Sequence, residues 1–175
     1  MYKCYLLLLW LLLLMSCQNK ASKPTSDAKW LGSEVVLPNG VVFSAPTDSL
    51  WKNNTLHIIM YIDSTECTPC SVDNIIMWNK SEYEKYMSKY KIDILLVFGT
   101  TQETVVRELM ANYSISYPYA IDKRRNLLRA NDFLSDKKFH TFIVDSNRKI
   151  IWLGSPIYSE KTWGLFTEML DSSFI

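Results

Sequence analysis

The chain has 175 residues, of which 19 are basic and 18 are acidic. Such a near-neutral balance gives no support for binding to nucleic acid or to another polyanion. The length leaves room for one folded domain of about 140 residues once the N-terminal segments are set aside. We find no internal repeat and no low-complexity tract.

The N-terminus has the pattern of a secretory signal. Lys3 is followed by an apolar run over residues 5–14 and then by Ser16-Cys17. That run is about half of the roughly 20 residues that a membrane span needs, so residues 1–16 are predicted to be a cleaved signal peptide. The small residue before Cys17 resembles the lipobox of bacterial lipoproteins, although Met15 is less usual there. This resemblance implies a lipid on Cys17; ordinary secretion with Cys17 free is the alternative.

A lipidated Cys17 would anchor the mature protein in the cell envelope, on the extracytoplasmic and specifically the periplasmic side of a membrane. Residues 17–33 are polar and contain Pro24, which predicts a flexible tether. Residues 34–175 then form the domain. It is expected to open with a β-hairpin, because residues 35–37 and 41–43 are apolar and flank an Asn-Gly pair.

The next element is a continuously apolar run over residues 56–62, which predicts a central strand buried on both faces. Soon after it comes Cys67-Thr68-Pro69-Cys70. In a helix that begins at the first cysteine, the two Cβ atoms would lie about 5–6 Å apart, a separation that allows a disulfide. Pro69 suits the first turn. The N-terminus of a helix also lowers a thiol pKa, so Cys67 is predicted to be the nucleophile.

The number of cysteines isolates this pair. Cys4 leaves with the signal peptide and Cys17 carries the lipid, so Cys67 and Cys70 are the only remaining thiols. A close pair in an oxidising compartment is expected to be oxidised unless it is continually reduced. A purely structural disulfide explains the pair less well, because so short a loop restrains the unfolded chain little.

The rest of the chain alternates between helical and strand patterns before it ends in two strands and a helix. This order predicts a mixed sheet with helices on both faces. The basic segment 123–132 is predicted to be a solvated loop face, with an acidic docking partner as the alternative. In chain order, the predicted elements are one or two helices over 72–90, a strand over 92–98, a helix over 101–113, strands over 117–121, 139–144 and 149–153, and a helix over 163–170.

From residue 56 to residue 170 the chain resembles thioredoxin-fold proteins, and in particular membrane-anchored thioredoxin-like lipoproteins related to cytochrome-maturation thiol-disulfide oxidoreductases. The residues that carry the resemblance are IIMYID, CTPC and TFIVDSNRKIIWLG. The resemblance implies an α/β, thioredoxin-like fold with Cys67 as the attacking and Cys70 as the resolving cysteine. It implies no cofactor.

One departure concerns the loop that faces the thiols in this family. The cis-proline that normally precedes a threonine there is replaced by His140 before Thr141. Because a cis bond without proline costs about 2.5–4 kcal/mol, the Phe139–His140 bond is predicted to be trans. If His140 lies opposite the cysteine motif, it either lowers the pKa of Cys67 or helps both thiolates to ligate a metal. An equal interpretation is that it ends a strand with its tip in water. His57 is expected to be buried without a role.

Two further departures concern acidic residues. Glu66 occupies the usual tryptophan position and would oppose thiolate formation. Tyr61 aligns with the buried acid of thioredoxins, so Asp63 is the nearest substitute base. For both Asp63 and Glu66, a solvated turn residue is at least an equal interpretation.

The leading hypothesis is a lipid-anchored thiol-disulfide oxidoreductase. It would act on protein disulfides or dithiols, and as a reductant it would need a redox donor in the membrane. The sequence does not give the direction of exchange. One alternative is a metal-binding or metal-delivery protein that uses Cys67, Cys70 and His140. Another is an interaction module that has lost its chemistry. Peroxidase activity fits less well, since Ser64 stands where a threonine would precede a peroxidatic cysteine.

Overall fold

A computed structural model describes residues 26–45, 56–64 and 68–173 of the chain. The predicted signal peptide and the lipidation site at Cys17 lie outside these ranges, as do Glu66 and Cys67. The roles predicted for these residues therefore stay predictions.

Within the described ranges, six strands form one mixed sheet in the order β1-β4-β3-β2-β5-β6. β2 and β3 are parallel, as are β3 and β4, while the remaining neighbours are antiparallel. β2 lies in the middle of the sheet, and seven of its eight residues are buried, as expected for a strand covered on both faces. The strands are β1 (Val42–Phe43), β2 (Leu56–Asp63), β3 (Ile92–Gly99), β4 (Tyr119–Ile121), β5 (Thr141–Asp145) and β6 (Ile150–Leu153).

In the described part of the chain, five α-helices connect and cover the sheet. The segment 72–90 forms two helices, which settles the choice that the sequence left open. No helix among the described residues is long and apolar enough to cross a membrane. The helices are α1 (Thr68–Met77), α2 (Ser81–Tyr90), α3 (Glu103–Asn112), α4 (Asn126–Ala130) and α5 (Glu160–Ser173); 3-10 turns occupy Ser26–Trp30, Asp132–Ser135, Lys137–Phe139 and Pro156–Tyr158.

Two apolar clusters lie against the sheet. The larger holds the buried residues of α1, α2, α3 and α5, and the smaller holds those of α4 and of the 3-10 turns before β5. The aromatic side chains of α2 pack in the larger cluster; for example, the ring centroids of Tyr83 and Trp163 are 4.8 Å apart. The predicted α/β architecture is confirmed.

The predicted N-terminal β-hairpin is wrong. Its second arm, β1, pairs with β4, whereas residues 35–37 form no strand. Glu34 instead forms a bridge with Lys149, next to β6. The two arms therefore run to opposite edges of the sheet, where each finds partners that a local Asn-Gly signal does not reveal.

The described part of the predicted tether, residues 26–33, lies on the domain. The backbone N–H of Gly32 donates to the Ile150 carbonyl at 2.7 Å, and the Ile150 N–H donates to the Ser33 carbonyl at 2.9 Å. Trp30 packs on Phe133 with 6.1 Å between ring centroids. These contacts extend the folded part N-terminally of residue 34.

His57 lies inside β2 and is 3% exposed. Burial lowers its pKa from 6.5 to about 4, because the charged imidazolium would lose its hydration. The folded protein therefore keeps this ring neutral between those two pH values, while the unfolded chain binds a proton.

We predict that the stability of the protein falls as the pH is lowered from 6.5 to about 4. Proton linkage sets the contribution of one such residue at no more than about 1.4 kcal/mol per pH unit. Urea unfolding across this range should show a shallower pH dependence in a His57→Leu variant than in the wild type. Equal slopes in the two proteins would contradict the prediction.

Candidate functional site

The candidate site lies where the parallel strands end. β2 ends at Asp63 and α1 begins at Thr68, so Cys70 falls in the first turn of a helix that follows the central strand. Pro69 lies in the same first turn, as predicted. Cys67 and Glu66 lie outside the described residues, and the pairing of the two cysteines stays a prediction.

Asp63 is not the solvated turn residue that one interpretation of the sequence gave. It is the last residue of β2, and its side chain is only 7% exposed. The Arg125 Nη2 donates to the Asp63 Oδ1 at 2.8 Å and to the Ser64 Oγ at 3.2 Å. Arg125 therefore ties the end of the central strand, just before the cysteine motif, to the start of α4.

The backbone of Arg125 is held in the left-handed region, with φ 53° and ψ 38°. This conformation is unfavourable for a residue with a Cβ. The fully buried Asp122 fixes the turn, because its carboxylate accepts the N–H groups of Asn126 at 2.7 Å and of Leu127 at 2.8 Å. Asp122 thus binds the first N–H groups of α4 and holds the turn that positions Arg125.

The loop before β5 forms one turn of 3-10 helix, Lys137–Phe139. None of the described residues follows a cis peptide bond, so the predicted trans Phe139–His140 bond is confirmed. The N–H of Phe139 donates to the Asp136 carbonyl at 2.9 Å, and the N–H of His140 donates to the Lys137 carbonyl at 3.1 Å. Both donors are thus engaged within the chain.

The His140 side chain is 7% exposed, so the prediction of a ring tip in water is wrong. Its Nε2 lies 3.0 Å from the Leu134 carbonyl oxygen. A carbonyl oxygen only accepts, so Nε2 carries the proton and a neutral ring holds its lone pair on Nδ1. The ring also packs against Tyr61, with 5.3 Å between centroids.

Tyr61 lies on β2, two residues before Asp63. It is 2% exposed, and its ring lies over Gly99 of β3. A Cβ at Gly99 would lie 2.9 Å from the Tyr61 Cζ, so only glycine leaves room for the ring. The carboxylate at this end of β2 therefore belongs to Asp63 and not to position 61.

No group of three or more His, Cys, Asp or Glu side chains in the described part of the chain could hold a metal ion. The alternative metal set includes Cys67, which lies outside that part. Ligation by Cys67, Cys70 and His140 therefore remains a hypothesis, in which His140 would use its Nδ1.

The basic segment is largely solvated, as predicted: Lys123, Arg124 and Arg129 are exposed, and Arg125 is partly buried. Two of its side chains nevertheless make contacts within the domain. Besides the Arg125–Asp63 pair, the Lys123 Nζ lies 3.5 Å from the Glu103 Oε2. Hydrogen bonds from Arg107 and Lys123 hold the pKa of Glu103 below its usual range. At least part of this segment's charge thus serves contacts within the domain.

A groove of about 420 Å³ adjoins His140 on the side of β5 and β6. Sequence reasoning missed this feature; an available signal was the pair of lysines just before Phe139 and His140. The groove is lined by Met60, Tyr61, Ile62, Asn74, Lys137, Lys138, His140, Thr141, Trp152, Leu153, Gly154, Ser155, Tyr158 and Thr162.

Comparison with solved structures identifies the fold as thioredoxin-like. An uncharacterised thioredoxin-like protein of Porphyromonas gingivalis aligns with a TM-score of 0.54 and 18% identity, over 79% of this chain and 92% of its own. A cysteine-to-serine mutant of peroxiredoxin Q from Xanthomonas campestris aligns with a TM-score of 0.52 and 12% identity, over 75% and 89%. A thioredoxin-like protein in its oxidised form gives 0.51 and 11%, over 81% and 93%.

At these identities the likeness establishes the fold alone. No protein-family model matches the chain, and no curated protein matches it. The thioredoxin-like fold that the sequence implied is thus confirmed, and the activity has to be argued from the site.

Proposed function

We propose that this protein is an extracytoplasmic, lipid-anchored thiol-disulfide oxidoreductase that acts through Cys67 and Cys70. One observation carries the proposal: in a thioredoxin-like fold, α1 begins at Thr68, five positions after the central strand ends at Asp63, and has Cys70 in its first turn. This is the setting in which the N-terminus of a helix lowers the pKa of a nearby thiol.

The exchange begins when the Cys67 thiolate attacks one sulfur of a substrate disulfide. A mixed disulfide forms, and the second substrate sulfur leaves as a thiolate that takes up a proton. The Cys70 thiolate then attacks the Cys67 sulfur and releases the first substrate thiolate. Two electrons pass from the protein to the substrate, and the protein is left with a Cys67–Cys70 disulfide. The reverse sequence describes an oxidant.

The described residues support this chemistry by holding the end of β2 in place next to the cysteine motif. The Arg125 contacts to Asp63 and Ser64 anchor the strand end that leads into the cysteine motif. His140 and Thr141 line the groove beside α1. Glu66 would oppose thiolate formation at Cys67, which favours a less acidic nucleophile than the helix terminus alone would give.

The cellular setting rests on the sequence. The apolar run before Cys17 supports export and a lipid anchor in the cell envelope. An enzyme that reduces substrates there needs electrons from a donor in the membrane, since the compartment itself is oxidising.

A redox titration of the full chain tests the proposal. The Cys67–Cys70 pair should titrate as one reversible two-electron couple between about −270 and −120 mV, the range of proteins with this chemistry. The readout is alkylation of the peptide that carries both cysteines, followed by mass analysis. A potential near the lower limit indicates a reductant, and one near the upper limit an oxidant.

The same titration separates the alternatives. A redox-inactive interaction module would give no reversible couple. A metal-binding protein would bring a stoichiometric metal ion through anaerobic purification, and that ion would protect both thiols from alkylation. Either result would contradict the proposal.

A further inference from the structure

The groove beside His140 reaches the helix that carries Cys70. Asn74, one of its wall residues, lies four residues after Cys70 in α1, which is about 6 Å along the helix axis. The chain after β6, including Tyr158, also lines the groove. A segment bound in the groove would therefore lie close to the helix turn that holds Cys70.

The groove has a positive rim. Lys137 and Lys138 both line it, and none of its described lining residues is acidic. The Lys138 Nζ lies 3.3 Å from the Asp136 Oδ2 and 4.5 Å from the centre of the Phe139 ring, which orient this lysine at the loop. Asp136 offsets part of the charge of Lys138, but with Lys137 the groove keeps a net positive charge, which is complementary to an acidic ligand.

The groove also offers aromatic surface. Tyr158 is 87% exposed, although large aromatic side chains are usually at least half covered. Trp152 lies partly exposed on the groove side and packs on Phe166 with 5.4 Å between centroids. Exposed tyrosine and tryptophan of this kind are typical contact residues in protein interfaces.

Recognition here depends on side chains. The N–H groups of Phe139 and His140 are engaged in the 3-10 turn, and the His140 carbonyl accepts the Tyr61 N–H at 2.7 Å. A bound segment therefore finds few backbone partners at this loop, and the lysines and aromatics provide the selectivity.

We propose that the groove selects protein substrates in which an apolar residue and acidic residues flank the reacting cysteine. The apolar residue contacts Tyr158 and Trp152, and the acidic side chains pair with Lys137 and Lys138. This inference rests on the proposed function, because that function makes the groove a substrate site.

Binding of a short fluorescent peptide, measured by anisotropy with the full chain in detergent, tests the selectivity. The peptide carries leucine and two glutamates around a serine that replaces cysteine, and its counterpart carries lysines instead. The glutamate peptide should bind about tenfold more tightly than the lysine peptide at low salt, and less so at high salt. Lys137→Glu with Lys138→Glu should reverse this preference, and Tyr158→Ala should weaken glutamate-peptide binding about tenfold.

The matched control reverses two exposed lysines that do not line the groove, Lys85→Glu with Lys149→Glu. It should leave the preference unchanged if the groove is the site. Equal binding of the two peptides, no binding, or an equal loss in the control overturns the inference. Because these peptides hold no cysteine, their binding is independent of the redox titration, and either proposal can fail alone.

Discussion

Replacing Cys67 with serine should lower the rate of disulfide exchange by at least about 10³-fold. Serine lacks the thiolate that attacks the disulfide, and loss of a nucleophile removes the reaction path itself. Replacing Cys70 should instead leave the first attack intact and stop turnover, since the mixed disulfide is no longer resolved. The assay is reduction of hydroxyethyl disulfide by the reduced full chain, followed through the first turnover and at steady state.

Ser71→Ala is a suitable control for these variants, because it changes the residue next to Cys70 and leaves both cysteines in place. It should retain the wild-type rate. An unchanged rate in Cys67→Ser would show that exchange does not pass through this cysteine. A first turnover kept by Cys67→Ser and lost by Cys70→Ser would reverse the two roles.

Breaking the Asp63–Arg125 pair should have the largest effect on stability near the site. Asp63 is buried, so removing its cation leaves a carboxylate in a position that water reaches poorly. Arg125 is 39% exposed, and the loss is accordingly smaller than for a fully buried pair. We expect Arg125→Ala to lower the free energy of unfolding by about 2 kcal/mol.

The backbone of Arg125 makes this prediction more specific. At φ 53° alanine keeps the conformational cost, whereas glycine removes about 1 kcal/mol of it. Urea unfolding should therefore rank the wild type first, Arg125→Gly second and Arg125→Ala third. The exposed Arg107–Glu103 pair supplies the control, since Arg107→Ala should cost less than about 1 kcal/mol. A reversed order of the glycine and alanine variants would contradict the account.

Much of the fold could be predicted from the sequence because its strands are strongly marked. The apolar run over 56–62 identified the central strand, and the spacing of apolar residues located most helices.

The predicted hairpin is wrong because the Asn-Gly signal is local, whereas the pairing of its arms is set by distant parts of the chain. Asn39-Gly40 does form a turn, but Val36 is bound by Asn131, whose Oδ1 accepts the Val36 N–H at 2.9 Å. That contact joins residues 95 positions apart, which a local signal does not register.

Less of the site could be predicted. The sequence located the cysteine motif and the trans bond before His140, since both depend on local chemistry. It did not reveal that Arg125 pairs with Asp63, because the residues are 62 positions apart and only the tertiary fold brings them together. The burial of His140 was missed for another reason. Its Nε2 partner is the Leu134 carbonyl, only six positions earlier, in a 3-10 turn that the sequence did not predict.

The most direct test of thiol exchange is to trap its covalent intermediate. The full chain with Cys70→Ser is reduced, mixed with a disulfide-bonded model protein and analysed by mass spectrometry without reductant. Thiol exchange predicts an adduct attached at Cys67 that reductant releases and that a Cys67→Ser, Cys70→Ser double variant does not form. The absence of any adduct at Cys67 would contradict the proposed function.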